Sequence, residues 1–307
     1  MNEPIILGNL KPEEVPGKLQ VKNYFDFKKY PFEHDALFKS AGVNSVVAAL
    51  NEIEPYAKDW IKAKIAAAKG NSDYKPENNV ISEGVCKVII EPGAVFKPAN
   101  IIGVPAGKDV YTIYIRKGAS VIGSNIFLNQ GDIYIGEGTI VEPGVAIKGY
   151  TILGSKNEIR QGAYFRGSII IGNNCVIKGE LKNVVMMNDC QFPHTCYVGD
   201  SILGYGTHFG NQATSANFGI IAGIISKTIT LKIDDKNYDL GRNKIGIIMG
   251  DYAQVGCNAV SDPGTFLLPY TIVYSLVRIP KGIYGPKEIL KNKSFEKGIT
   301  EIAKLKI

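Results

Sequence analysis

An all-β solenoid, a parallel β-helix preceded by a helical arm, is the fold this chain predicts. Three observations point to it. Eight apolar residues recur at a strict spacing of six: Ile135, Val141, Ile147, Leu153, Ile159, Phe165, Ile171 and Ile177. An amphipathic helix repeats its apolar positions every three or four residues and a one-faced strand every two, so six fits neither. Six residues make one short strand and one turn, with a single side chain sent inward. Glycine, proline and small polar residues fill the spacers, as in I-G-E-G-T-I (135–140), V-E-P-G-V-A (141–146) and I-G-N-N-C-V (171–176). Finally, only the stretch from about Val43 to Lys69 has a clear helical period.

Along the chain, residues 1–79 read as an N-terminal arm and helical segment. Up to about residue 40 the arm is polar and irregular, with an aromatic-basic run (Tyr24, Phe25, Phe27, Lys28, Lys29, Tyr30, Phe32) that needs a packing partner. Val46, Val47, Leu50, Ile53, Ala57, Trp60, Ile61, Lys64 and Ile65 then form one helical stripe. Asn44 is placed to cap this helix and Gly70 to stop it, and Pro55 to kink it or begin a second helix. Residues 71–79 read as a linker. The β-helix is expected over 80–280, beginning near Val80, with I-E-P-G-A-V (90–95) its first clear unit. Ile115, Ile122, Leu128 and Ile135 mark a looser stretch. Residues 183–197 and 216–244 break the repeat and are expected to loop out; in the second, Thr228–Ile233 and the turn Asp234–Asn237 read as a β-hairpin. Met249, Val255, Ser261, Leu267 and Val273 restore the repeat, with Ser261 a polar flaw at an inward position. Residues 281–307 form a basic tail, with a short helix expected between Lys287 and Lys293.

The chain has 307 residues, a net charge of +6, 34 glycines, one tryptophan and five cysteines. No apolar run reaches membrane-spanning length. The N-terminus lacks the pattern of a secretory signal. The odd, scattered cysteines fit reduced thiols in the cytoplasm. No Arg/Lys cluster interleaved with aromatics marks a nucleic-acid platform. Cys190 and Cys196 flank His194, but their spacing matches no zinc pattern, so no metal is expected.

Two of the three histidines, His194 and His208, belong to or follow the first break in the repeat, and imidazole is the side chain best suited to take a proton near neutral pH. Arg160 and Lys178 are eighteen residues apart, one full three-sided coil, so they should stack on one face. Two stacked cations suit a phosphate, the guanidinium gripping two oxygens and the ammonium acting as a point charge. Two solvated surface cations are the alternative reading. Arg166 lies nearby in the repeat.

The blocks I-R-Q-G-A (159–163), V-I-K (176–178), P-H-T-C-Y-V-G-D-S (193–201), G-T-H-F-G-N-Q-A-T-S-A-N (206–217) and G-R-N-K-I-G-I-I-M-G-D (241–251) resemble the acyltransferase domain of sugar-1-phosphate nucleotidylyltransferase/acetyltransferases. This group includes N-acetylglucosamine-1-phosphate uridylyltransferase/glucosamine-1-phosphate acetyltransferase, a supplier of cell-envelope precursors. The resemblance covers roughly 85–280. It implies a left-handed parallel β-helix, a homotrimer with sites between subunits, and acetyl transfer from acetyl-coenzyme A to an amino-sugar phosphate without a metal or a covalent intermediate. It implies His194 as general base, Arg160 and Lys178 as phosphate ligands, Tyr197, His208 and Asn217 as substrate contacts, and Lys244 as a substrate lysine supplied across the interface. Asn211 and Cys257 fall where the family holds coenzyme A. His208 stands where the family usually has asparagine, and Asn211-Gln212 replaces a small Ala-Gly pair, which bears on the donor site. No Gly-rich phosphate loop for nucleotidyl transfer is found. A non-catalytic sugar-phosphate-binding or trimerisation module is the competing expectation. A carbonic anhydrase of this fold needs three metal-binding histidines, and His34 lies far off in the arm.

Overall fold

The protein was analysed as a computed structural model describing residues 3–69, 84–220, 227–293 and 300–304. The expected linker 71–79 and the start of the repeat near Val80 lie outside these residues. The chain divides into two compact units, residues 53–189 and residues 1–52 with 190–307. Both contain parallel β-helix.

In the unit 53–189, short strands pair in parallel with strands one coil away. Glu158–Ile159 pairs with Ile140–Val141 on one side and Val176–Ile177 on the other. The eight hexad residues are all inward, none more than 1 % exposed. Parallel stacking leaves each corner a turn that must reverse direction within few residues. One corner column runs Gly138, Lys156, Asn174 and Asp189, all left-handed with φ of 65°, 57°, 58° and 60°. This region is open to glycine and tolerated by Asn and Asp. Several buried polar groups are paired along the coil axis: Thr139 Oγ1 donates to the Gly154 carbonyl (2.7 Å), Asn157 Nδ2 to that of Gly172 (2.8 Å), and Cys175 N–H to Asn157 Oδ1 (2.7 Å).

The loose stretch follows a different frame from the one expected. Val121, not Ile122, points inward, and Ile122 is 43 % exposed. The coils here are longer: Ile90 pairs with Ile115 and Ile115 with Ile135, spacings of twenty-five and twenty in place of eighteen. Extra residues sit at the corners, so the count between inward residues slips while the stacking persists.

Residues 183–197 do not loop out. Glu180–Met186 and Gln191–Phe192 are strands, and Val184, Met186, Cys190 and Phe192 are fully buried. The coil is shortened instead: Ile171 pairs with Met186, fifteen residues on, through a register shift after Arg166. Inward residues continue as Ile177, Leu181, Met186 and Phe192, so one interval of four and one of five hide the repeat.

The helix (α1) runs Ala49–Lys69 with Pro55 inside it, so Pro55 starts no second helix. It is the seventh helical residue, past the first turn, so the helix lacks there the bond that an N–H would make to the carbonyl four residues back. Asn44 does not cap it; its amide donates to the carbonyls of Leu7 and Leu10 (3.0 and 2.8 Å). Ile53, Ala57, Ile61 and Ile65 are buried as the stripe requires. Trp60 packs edge-on against Tyr134 (4.9 Å) with Lys64 Nζ 4.6 Å from its ring.

In the other unit, the arm's aromatics do find partners. Phe25 contacts Tyr24 and Phe38 (5.9 and 5.4 Å between ring centres), and Tyr30 stacks on Tyr205 at 4.4 Å. Asp251 clips the arm in place: its carboxylate accepts the N–H of Asp26 (2.8 Å) and of Tyr205 (2.9 Å), and its own N–H donates to the Tyr24 carbonyl (3.0 Å). The hairpin forms as expected, Thr230–Ile233 against Lys236–Asp239, with Asp234 and Asp235 left-handed in a two-residue turn. The arm's Ile5–Ile6 adds a third strand. Ser261 is inward and buried, its hydroxyl without a hydrogen-bond partner, a cost of about 1–3 kcal/mol. The tail departs from expectation. Glu288–Asn292 is a strand, not a helix, pairing with Ile272–Val273 and antiparallel with Thr300–Lys304.

Burial pushes the Asp251 carboxyl up to about 6, against the partial pull of the two N–H bonds. Its native form therefore holds a proton more tightly than the unfolded chain does. Relative to Asp251→Asn, stability should decline as pH rises from about 4 through 6, by roughly 1–3 kcal/mol. Parallel denaturant titrations of both proteins across that window check this; matching slopes reject it.

Candidate functional site

The expected residues fall in both compact units. Arg160 and Lys178 belong to 53–189. His194, Tyr197, His208, Asn211, Asn217, Lys244 and Cys257 belong to the unit of 1–52 and 190–307.

Arg160 and Lys178 stack as their spacing predicts. Ile159 and Ile177 are in register, and Arg160 N–H donates to the Ile177 carbonyl (2.8 Å). The Arg160 Nε already meets Glu158 Oε1 at 2.7 Å, and Arg166 Nε meets Glu180 Oε1 at 2.5 Å. Exposed pairs of this kind are worth about 0–1 kcal/mol.

His194 is exposed, just past the strand Gln191–Phe192. His208 is half-buried in the strand His208–Phe209, in register with Gln191 and Gln254. Burial, and then the charge of His194, hold the His208 imidazole below its usual range. A groove of about 370 Å³ opens beside His208, lined among others by Gln254, Val255, Gly256, Val273 and Tyr274. Asn211 and Cys257 sit together at one corner of successive coils. Asn258 N–H donates to the Asn211 carbonyl (2.9 Å), and a Cβ on Gly210 would lie 2.5 Å from Cys257 N. Both side chains are exposed.

The densest polar group was only partly foreseen. Tyr197 and Asn217 converge over Gly199: a Cβ there would meet Tyr197 Oη at 2.6 Å and Asn217 Nδ2 at 2.7 Å. Asn217 Nδ2 donates to Asp200 Oδ2 (2.6 Å), and Arg242 Nη2 to Asp200 Oδ1 (3.2 Å). Asp200 and Arg242 were not singled out from the sequence. The available signals were Asp200's place in the G-D-S of one quoted block and Arg242's in the G-R-N-K of another. Lys244 is exposed, its Nζ 5.5 Å from the Phe218 ring, and Phe218 and Lys244 bridge through their backbones.

The cysteines are all free thiols; four are buried and Cys257 is exposed. Burial raises the Cys86 thiol, and pushes that of Cys196 up to about 12, away from the thiolate a nucleophile needs. Among the described residues no group of His, Cys, Asp and Glu forms a metal cluster. Nor does any helix among them have the length and apolarity to cross a membrane.

Short parallel strands stacked coil on coil define the fold as a parallel β-helix. No family model matches the chain. Its sequence relatives are bifunctional sugar-1-phosphate nucleotidylyltransferase/acetyltransferases, whose homology reaches over about three quarters of the chain. The enzyme of that name from Sulfurisphaera tokodaii is 29 % identical over 154 residues, 44 % of this chain and 37 % of its own length. The bifunctional protein GlmU of Listeria innocua is 24 % identical over 265 residues, 75 % of this chain and 51 % of its own. The chain thus spans from about a third to a half of these relatives. Among solved structures, the Francisella novicida UDP-N-acetylglucosamine acyltransferase is 13 % identical, with a TM-score of 0.40 over 66 % of this chain and 64 % of that one.

Gly199→Ala should push Tyr197 and Asn217 apart and destabilise the fold by roughly 1–3 kcal/mol. Thermal unfolding of the variant checks this, and an unchanged midpoint rejects the close approach.

Proposed function

We propose that the protein is an acyl-coenzyme A-dependent N-acetyltransferase acting on an amino-sugar 1-phosphate of the glucosamine 1-phosphate kind. The observation that carries this reading is the convergence over Gly199 of Tyr197 and Asn217, which come from two of the blocks that resemble such enzymes. It is supported by the stacked Arg160 and Lys178, which suit a phosphate, and by the groove beside His208, which offers room for a pantetheine arm.

In this reading the sugar amine attacks the thioester carbonyl carbon. His194 takes the proton that the amine gives up, the C–S bond breaks, and the sulfur leaves as the coenzyme A thiol after protonation. An amine must be unprotonated and aimed to attack, and a positioned base contributes about 10²–10⁴-fold. Gripping the phosphate and the coenzyme supplies proximity. Asn217, Tyr197 and His208 contact the sugar. The further terms of the reading are a left-handed, trimeric assembly in which Lys244 reaches a neighbouring subunit's sugar, in the cytoplasm. A sugar-phosphate-binding or trimerisation module without chemistry is the second reading, favoured by the carboxylate already on Arg160 and by the exposed Asn211 and Gln212 at the donor corner.

Acetyl-coenzyme A with glucosamine 1-phosphate should release free thiol in the presence of the protein. No release across a panel of amino-sugar phosphates selects the module. His194→Ala should lower turnover by about a hundredfold or more with the fold intact, and full activity in that variant refutes the base. Arg160→Ala should raise the KM for the sugar phosphate about tenfold or more, and an unaltered KM counts against its phosphate role.

A further inference from the structure

Asp200 is a carboxylate with a side chain only 3 % exposed, beside Asn217 at 9 % and Arg242 at 20 %. A buried charge is costly unless paired and hydrogen-bonded. Here Asp200 receives Asn217 Nδ2 on one oxygen and Arg242 Nη2 on the other. Arg242 is itself tied at its remaining nitrogens: Nη1 donates to Asn51 Oδ1 on the first turn of α1, and Nε to the Lys244 carbonyl (3.1 Å). One guanidinium thus joins the helix start, the coil corner at Asp200 and the segment carrying Lys244.

This arrangement has a chemical consequence at Asn217. A carboxylate only accepts hydrogen bonds, whereas an amide has a donor end and an acceptor end. Flipping the amide would set Oδ1 against Asp200, acceptor against acceptor. One N–H of the NH₂ end is therefore committed to Asp200, and the side-chain carbonyl is turned away from that carboxylate. A carbonyl oxygen selects a donor, such as the N–H of an amine, and rejects an oxyanion at that point. We propose that Arg242, acting through Asp200, is a positioning residue that holds the Asn217 amide with its oxygen toward the attacking amine, which gives this site its preference for an amino sugar. The inference rests on the acetyltransferase reading for its substrate, but the locking of Asn217 does not.

Two measurements on the full chain test it. In ¹⁵N-labelled protein, the Asn217 side-chain NH₂ should exchange with solvent at least about tenfold more slowly than in Arg242→Ala, with Arg242→Lys between the two. In the thiol-release assay, Arg242→Ala and Asp200→Asn should lower kcat roughly ten- to a hundredfold, the range seen for outer partners at metal sites, while the KM for glucosamine 1-phosphate moves less than about threefold. That split is expected because the phosphate is gripped elsewhere. A purely structural role would move thermal stability and leave the split and the Arg242→Lys rescue absent. Unchanged exchange in Arg242→Ala overturns the proposal, as does a kcat within twofold of wild type. If the unaltered protein releases no thiol with any amino sugar, the acetyltransferase reading fails, and the exchange rates alone decide the positioning role.

Discussion

Parallel pairing between coils governs this structure. Each strand of two or three residues makes too few bonds to stand alone, and takes its place because the coils above and below donate and accept along the same direction. That pairing fixes which residues align in columns. Inward columns are apolar and are the source of the six-residue spacing. Outward columns place residues one coil apart directly over each other, which is how Arg160 comes to lie over Lys178 and Asn211 beside Cys257. Corner columns collect left-handed residues, as at Gly138, Lys156, Asn174 and Asp189.

A rod of this kind is regular, and its chemistry lies where the regularity is modified. The coil between Ile171 and Met186 is shortened, and the chain after Ser215 leaves the repeat and returns near Ile247. On this return sits Arg242, whose bonds to Asp200 and Asn51 link loop, coil and helix. The arm is pinned by the same physics at Asp251, where backbone N–H groups from Asp26 and Tyr205 converge on one carboxylate. Both places put a buried acid at a junction of elements. Such an acid needs several donors, and the donors must come from different segments, so it holds those segments to one geometry.

Much of the fold was legible. A spacing of six admits few architectures, and the helical stripe and the hairpin turn each follow from local rules. Two misreadings within the repeat share one cause. A corner can gain or lose residues while the strands stay in register, so residue counts between inward positions fail where stacking does not. This hid the coil through Val184 and Phe192 and moved the inward position from Ile122 to Val121. The tail strand Glu288–Asn292 was hidden differently, because its partner Thr300–Lys304 approaches from further along the chain.

The order of residues by itself determined the repeat, the stacked cations and the identity of the polar blocks, because all of these depend on spacing along one strand path. Only the tertiary structure decided that Asp200, Asn217 and Arg242 form one hydrogen-bonded group and that Tyr197 shares its space over Gly199. Their meeting depends on how far the segment after Ser215 travels before it returns. No local periodicity encodes that distance; long-range packing and the need to neutralise a buried carboxylate set it.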